Sequence, residues 1–250
     1  MTEPSIDRLK IKIFADCADI KVLRDLVKNP LIKGFTTNPS LMRAAGATDY
    51  KAYAHELLAL IPDRPISFEV FADDFPTMEE QAHEITSWGE NVYVKIPVIN
   101  TRREFSGRLI STLSRSGIKL NITAIMTPAQ VGRVAEALAE DTRSLVSVFA
   151  GRVADTGRDP IPLMTESLRL LSGRPKAELL WASSREILNV FQAEAVGCPV
   201  ITVAPDHLKK LPSIGRDLDL LTQDAVVAFL KDTTAAGFSL DCRQERRSAV

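Results

Sequence analysis

The 250-residue chain is 45% apolar and 25% charged, and its 31 basic and 32 acidic side chains leave a formal net charge of −1. That balance gives no electrostatic footprint for nucleic acid or an anionic membrane surface. No window approaches the roughly 18 uninterrupted apolar residues of a membrane-spanning helix, and MTEPSIDRLK lacks a signal-peptide core, so a cytoplasmic protein is expected.

Short apolar, β-branched runs recur along the chain, each bounded by polar, Gly or Pro residues and each too short for a helix. In order they are 11–15 (IKIFA), a weaker run at 34–37 (GFTT), 66–71 (ISFEVF), 92–97 (VYVKIP) and 119–126 (KLNITAIM). Three more follow at 145–150 (LVSVFA), 178–182 (ELLWA) and 199–204 (PVITVA). Helices are predicted between them over 77–88, 101–115, 128–139, 161–171 and 185–195. Thr127 followed by Pro128 marks one start, and Gly197 marks one stop. A terminal amphipathic helix is predicted over 222–235, with Gly237 beyond it.

Strand–helix units at this spacing in about 250 residues match a (β/α)8 TIM barrel, an α/β fold. A doubly wound open sheet would carry a Gly-rich loop after its first strand. The chain instead reads Asp16-Cys17-Ala18-Asp19 there, which favours the barrel. With no linker, repeat or low-complexity segment, one domain is expected over residues 1–240, followed by a polar tail at 241–250. Cys17, Cys198 and Cys242 are far apart, and His55, His83 and His207 share no ligand spacing, so neither a disulfide framework nor a metal site is expected.

In such a barrel, chemistry gathers at the C-terminal ends of the strands. The polar residues there are Asp16 on the first run, Thr36, Thr37 and Asn38 on the second, Glu69 on the third and Lys95 on the fourth. Asn121 and Thr123 follow on the fifth, Ser147 and Arg152 on and after the sixth, and Ser183 and Arg185 after the seventh. Lys95 is the informative one. Lys12 and Lys119 start their runs, where a solvated lower rim explains them, whereas Lys95 lies near the end of its own. Alternation puts Tyr93, Lys95 and Pro97 on one face. Desolvation favours a neutral amine, the form that attacks a carbonyl. The competing explanation is a structural ion pair with Glu69 or Asp16.

Glu69, Lys95 and Thr123 fall on consecutive runs, roughly 4.8 Å apart per step. A carboxylate, an amine and a hydroxyl at that spacing can share one water, the proton shuttle that imine formation and hydrolysis require. Asp16 is the candidate acid/base for the substrate's own hydroxyl, and Asp19 the better candidate for a helix cap. Asn38 before Pro39 has the pattern of a helix N-cap. Ser183 and Glu186 have capping-box spacing, and a helix start flanked by Arg185 is also an anion site. Arg152 and Arg185 are therefore expected to converge on a phosphate.

These segments resemble the transaldolase and fructose-6-phosphate aldolase family. GFTTNPSL (34–41) resembles the family's first signature, and VYVKIPV (92–98) the segment around its Schiff-base lysine. FADCAD, SFEV, NITAIMTPAQ, SVFAGRVADTG and WASSREIL fall in the family's order, so the resemblance covers about 11–211. It implies a metal-free and cofactor-free class I aldol mechanism with the Schiff base on Lys95 of the fourth strand. It further implies Asp16 as acid/base, and Glu69 with Thr123 as holders of the catalytic water. Asn38, Asn121 and Ser147, with Thr36 nearby, would bind the three-carbon unit, and Arg152, Ser183 and Arg185 the sugar phosphate. Glu69 with Phe149 is the transferase combination, whereas aldolase members carry Gln and Tyr there. Met126, Ser184 and Cys17 depart from the family's usual residues. The function implied is dihydroxyacetone transfer between sugar phosphates, as in the pentose phosphate pathway, by a homo-oligomer of ring-forming type. The alternatives are a lyase releasing free dihydroxyacetone and a non-catalytic sugar-phosphate-binding barrel.

Overall fold

The computed structural model describes residues 4–240, so the expected polar tail at 241–250 lies outside the described residues. Two compact units are present, residues 6–211 and a second made of residues 4–5 with 212–240.

The first unit is a closed barrel of eight parallel strands in sequential order. The strands are β1 (Lys12–Asp16), β2 (Ile32–Thr36), β3 (Ile66–Glu69), β4 (Val92–Pro97), β5 (Leu120–Ile125), β6 (Ser144–Val148), β7 (Ala177–Trp181) and β8 (Val200–Val203). Their helices begin with α1 (Ile20–Leu26), α2 (Pro39–Ala44), α3 (Tyr50–Leu60), α4 (Phe75–Thr86), α5 (Gly107–Arg115) and α6 (Pro128–Ala137). Then follow α7 (Ala150–Ala154), α8 (Ile161–Leu171), α9 (Leu188–Ala195) and α10 (Pro205–Leu208). The predicted barrel is the observed one, with strand ends shifted by a residue or two.

Local chemistry explains the starts of the helices. The Asp19 carboxylate accepts the Lys21 and Val22 amides at the head of α1, and Asn38 Oδ1 accepts the Leu41 amide in front of Pro39. Thr127 and Gln130 form a reciprocal capping box on α6. The helix predicted over 101–115 begins only at Gly107. Residues 99–105 are instead pinned as a loop by an isolated Ile99–Phe105 bridge and by Asn100 accepting the Arg102 and Glu104 amides.

The barrel interior is layered. At the lower rim Lys12 pairs with Glu178 at 2.5 Å, and Lys119 donates to the Glu90 carbonyl. Above it Phe14, Leu145, Leu180, Ala182 and Val200 make an apolar floor, with Tyr93 and Phe149 packed against it. Gly34 belongs to this floor, since a Cβ there would come within 2.5 Å of the Phe14 ring. Burial of these side chains seals the barrel from below and leaves a polar layer at the C-terminal mouth.

The second unit carries α11 (Leu218–Ala236), longer than the predicted 222–235 because Asp217 caps its start. Gly237 ends it, as predicted. Among the described residues no helix is long and apolar enough to cross a membrane.

Candidate active site

Strand registry brings the predicted residues to one level. Asp16 is level with Thr36, Glu69 with Lys95, and Lys95 with Asn121, while Thr123 stands opposite Pro97, one inward position higher. A cavity of about 130 Å³ opens there, lined by Asp16, Thr36, Asn38, Lys95, Thr123, Ser147, Phe149, Arg152, Ala182, Ser183 and Thr202. The cavity sits at the C-terminal mouth of the barrel.

The Lys95 side chain is only 9% exposed. Its ammonium donates to the Thr37 carbonyl at 2.9 Å and lies 3.2 Å from Glu69 Oε2. Across the mouth, Thr36 Oγ1 donates to Asp16 Oδ1 at 2.8 Å and lies 2.6 Å from Thr202 Oγ1. One hydroxyl has one proton, so an ionised Asp16 orders the chain as Thr202 to Thr36 to Asp16. Burial pushes the Asp16 carboxyl above the usual carboxylate range, and the nearby Lys95 charge and the Thr36 hydroxyl offset this only in part. Cys17 beside it is buried, and its thiol is pushed up to about 11, so it supplies no thiolate at neutral pH.

Asn121 is bonded at both ends of its amide beneath the cavity. Its amide donates to Ser67 Oγ at 2.9 Å and its carbonyl accepts from Ser147 Oγ at 2.7 Å, so it presents Ser147 to the cavity and does not line it. Thr123 Oγ1 is buried on the cavity wall and has no partner among the described residues. A hydroxyl so placed is ready to hold a water or a substrate oxygen.

Where the sequence leads one to expect a phosphate, the arrangement differs in its details. Arg152 lines the cavity, with its guanidinium 5.2 Å from the Phe149 ring centre. Ser183 also lines it, in a left-handed backbone conformation (φ 60°) and outside any capping box. The helix that follows begins at Leu188 instead of Arg185, and Asn189 accepts the Arg185 and Glu186 amides. The Arg185 side chain turns to Asp155, bonding its carboxylate at 2.5 and 3.1 Å. The structure therefore brings Arg152 and Ser183 together and holds Arg185 aside at the rim.

Thr202 and Ser67 went unselected in the sequence. Thr202 interrupts its apolar run as Thr123 does, and Ser67 lies two residues before Glu69 on the same face. Applied to every run, the same interruption signal finds both.

Comparisons with known proteins bear on the family and the fold. The family model "Transaldolase/Fructose-6-phosphate aldolase" matches residues 13–246. A protein of Dehalococcoides mccartyi named "probable transaldolase" is 33% identical over 225 residues, covering 89% of this chain and 97% of its own. Another of that name, from Methanococcus maripaludis, is 33% identical over 226 residues, covering 90% and 98%. Among solved structures, a flavocytochrome b2 variant with benzoylformate is similar with a TM-score of 0.55 at 14% identity, covering 87% of this chain and 69% of its own. At that identity the likeness is one of fold alone.

Proposed function

The chain belongs to the transaldolase/fructose-6-phosphate aldolase family, and from that membership we propose that it transfers a dihydroxyacetone unit from a ketose phosphate to an aldose phosphate in the cytoplasm. The observation that carries this reading is the placement of Lys95. A buried amine faces the cavity at the end of β4, with Glu69 at 3.2 Å and Asp16 and Thr123 on the same walls. A binding module has little use for an ammonium that costs several kcal/mol to desolvate.

In the proposed reaction, neutral Lys95 attacks the ketose carbonyl, and the carbinolamine loses its hydroxyl as water. Glu69 and a water held by Thr123 move the protons. The iminium at C2 of the former ketose acts as the electron sink for the C3–C4 bond. Asp16 takes the proton of the C4 hydroxyl, the C3–C4 bond breaks, and the aldose phosphate leaves with its new aldehyde at that carbon. The three-carbon enamine remains on Lys95, beside the hydroxyls of Thr36 and Ser147, with Asn38 and the Asn121-held wall around it. The acceptor aldehyde then adds, Asp16 returns the proton, and water hydrolyses the imine. Arg152 and Ser183 take the phosphate, and Arg185 joins them by exchanging Asp155 for the dianion.

Borohydride trapping tests this. Reduction in the presence of fructose 6-phosphate should attach a three-carbon adduct to Lys95, with activity unaffected by EDTA. An adduct on another lysine, or activity lost to EDTA and restored by zinc, overturns the reading.

A further inference from the structure

Glu69 sits where its own strand loses a neighbour. The last rung between β2 and β3 is the Thr37 amide donating to the Ser67 carbonyl at 3.2 Å, after which the chain turns through Asn38 into α2. Alternate residues of a parallel strand direct both backbone groups to the same side. Glu69, two residues past Ser67, therefore faces a side from which β2 has gone. Its neighbour Val70 bonds the opposite way, to the Lys95 carbonyl at 3.0 Å.

The Tyr50 hydroxyl at the start of α3 fills that place. It accepts the Glu69 amide at 3.0 Å and donates to the Glu69 carbonyl at 3.1 Å. One side chain thus satisfies both backbone groups that the missing strand would have met. The ring is fixed in turn, edge-on to Phe71 at 5.3 Å and tilted against Trp88 at 6.2 Å. Burial raises the phenol further above its ordinary range, so the hydroxyl keeps its proton at every working pH.

We propose that Tyr50 is a positioning residue for the reaction: its hydroxyl replaces the missing strand rung and so holds the Glu69 carboxylate beside the Lys95 amine. Tyr50 does not line the cavity and touches no reacting atom. The inference rests on the reading of Glu69 as the proton carrier for Lys95.

The test is a double-mutant cycle of Tyr50→Phe and Glu69→Gln, read as the single-turnover rate of borohydride-trappable adduct on Lys95 with fructose 6-phosphate. Tyr50→Phe keeps the ring and its stacking and should slow adduct formation on the order of tenfold, as small misplacements of catalytic groups do. In the Glu69→Gln background the same change should cost almost nothing, because the carboxylate it positions is gone. Trp88→Phe, which alters the same aromatic cluster and leaves the hydroxyl, should keep the wild-type rate. An unaffected Tyr50→Phe rate, an equal loss in both backgrounds, or an equal loss in Trp88→Phe overturns the proposal. Native-state hydrogen exchange needs no variant: the Glu69 amide should be protected, and a solvent-like rate also overturns it. If the wild type forms no adduct on Lys95, the parent reading falls, whereas an adduct with an additive cycle removes only the role of Tyr50.

Discussion

Asp16 shows what the site costs the fold. Its carboxyl is pushed up mainly by burial, so the folded chain binds its proton more tightly than the unfolded chain does. Stability therefore falls as pH rises from the ordinary carboxylate value through the raised one, and the full cost of a buried carboxylate is carried above it. Asp16→Asn keeps the shape and the Thr36 contact. It should raise the melting temperature at pH 8, by about 2–4 °C for each kcal/mol relieved, with the gain vanishing near pH 4. The same variant should lose nearly all transfer activity, and the wild-type rate should fall with acid above the ordinary carboxylate range, as Asp16 must be ionised to accept a proton. Calorimetry across pH decides the first part, and a variant that melts lower at pH 8 contradicts it. Phe149 bears on the fate of the enamine. It lines the cavity on the apolar floor and offers no hydroxyl to a water that would protonate the three-carbon unit. Without an acceptor, turnover should stall after one burst of glyceraldehyde 3-phosphate, and Phe149→Tyr should increase free dihydroxyacetone. Sustained release by the wild type at the transfer rate would contradict this.

The loops after β6 and β7 interlock, and the proposed phosphate site depends on that. A Cβ on Gly151 would fall 1.6 Å from the Ser183 carbonyl, so glycine alone permits the approach that sets Arg152 and Ser183 on one wall. Asp155 at the end of α7 then holds Arg185 across the same junction. This pair is about half exposed, so it is worth roughly 0.2–1 kcal/mol. Asp155→Asn should therefore lower KM for fructose 6-phosphate by no more than about fivefold, by freeing Arg185. Arg152→Ala should raise KM about tenfold or more, from the loss of a charge-assisted bond of about 1.5–3 kcal/mol. Neither should alter kcat/KM for unphosphorylated fructose, and an equal change on both sugars would remove the phosphate assignment. These elements also show what the sequence could disclose. Runs such as 92–97 carry their own boundaries, so the barrel and the level of Lys95 were legible from alternation. The Arg185–Asp155 pair, the turn at Ser183 and the Tyr50 rung were not. The first and last join residues 30 and 19 apart, and the turn at Ser183 packs against Gly151, through loop geometry that no local pattern encodes. The late start of α5 has a local origin instead, since side-chain bonds from Asn100 to amides two and four residues on outweigh the helical propensity of the segment.

At the scale of the whole molecule, α11 carries an apolar face of its own. Within its own unit this helix buries none of its residues, and Leu218, Val226, Val227, Phe229 and Leu230 are each more than half exposed there. Val226, Phe229 and Leu230, spaced three and four apart, share a face with Val227 beside them. Each large apolar side chain left in water forgoes about 1.5–3 kcal/mol of burial. Contiguous patches of this kind mark association surfaces on soluble proteins. The proposed occupant is a second copy of the chain, the homo-oligomer that the family resemblance implies. Sedimentation of the full chain at concentrations on the order of 100 μM, where even weak self-association registers, should give a closed oligomer. Phe229→Lys with Leu230→Lys should dissociate it, since two ammonium groups would have to be buried in every contact. The cavity and its lysine lie entirely within residues 6–211, so the dissociated variant should still trap a ketose phosphate on Lys95. A monomeric wild type at that concentration, or an unchanged oligomer in the double variant, would show that α11 is not what holds copies of the chain together.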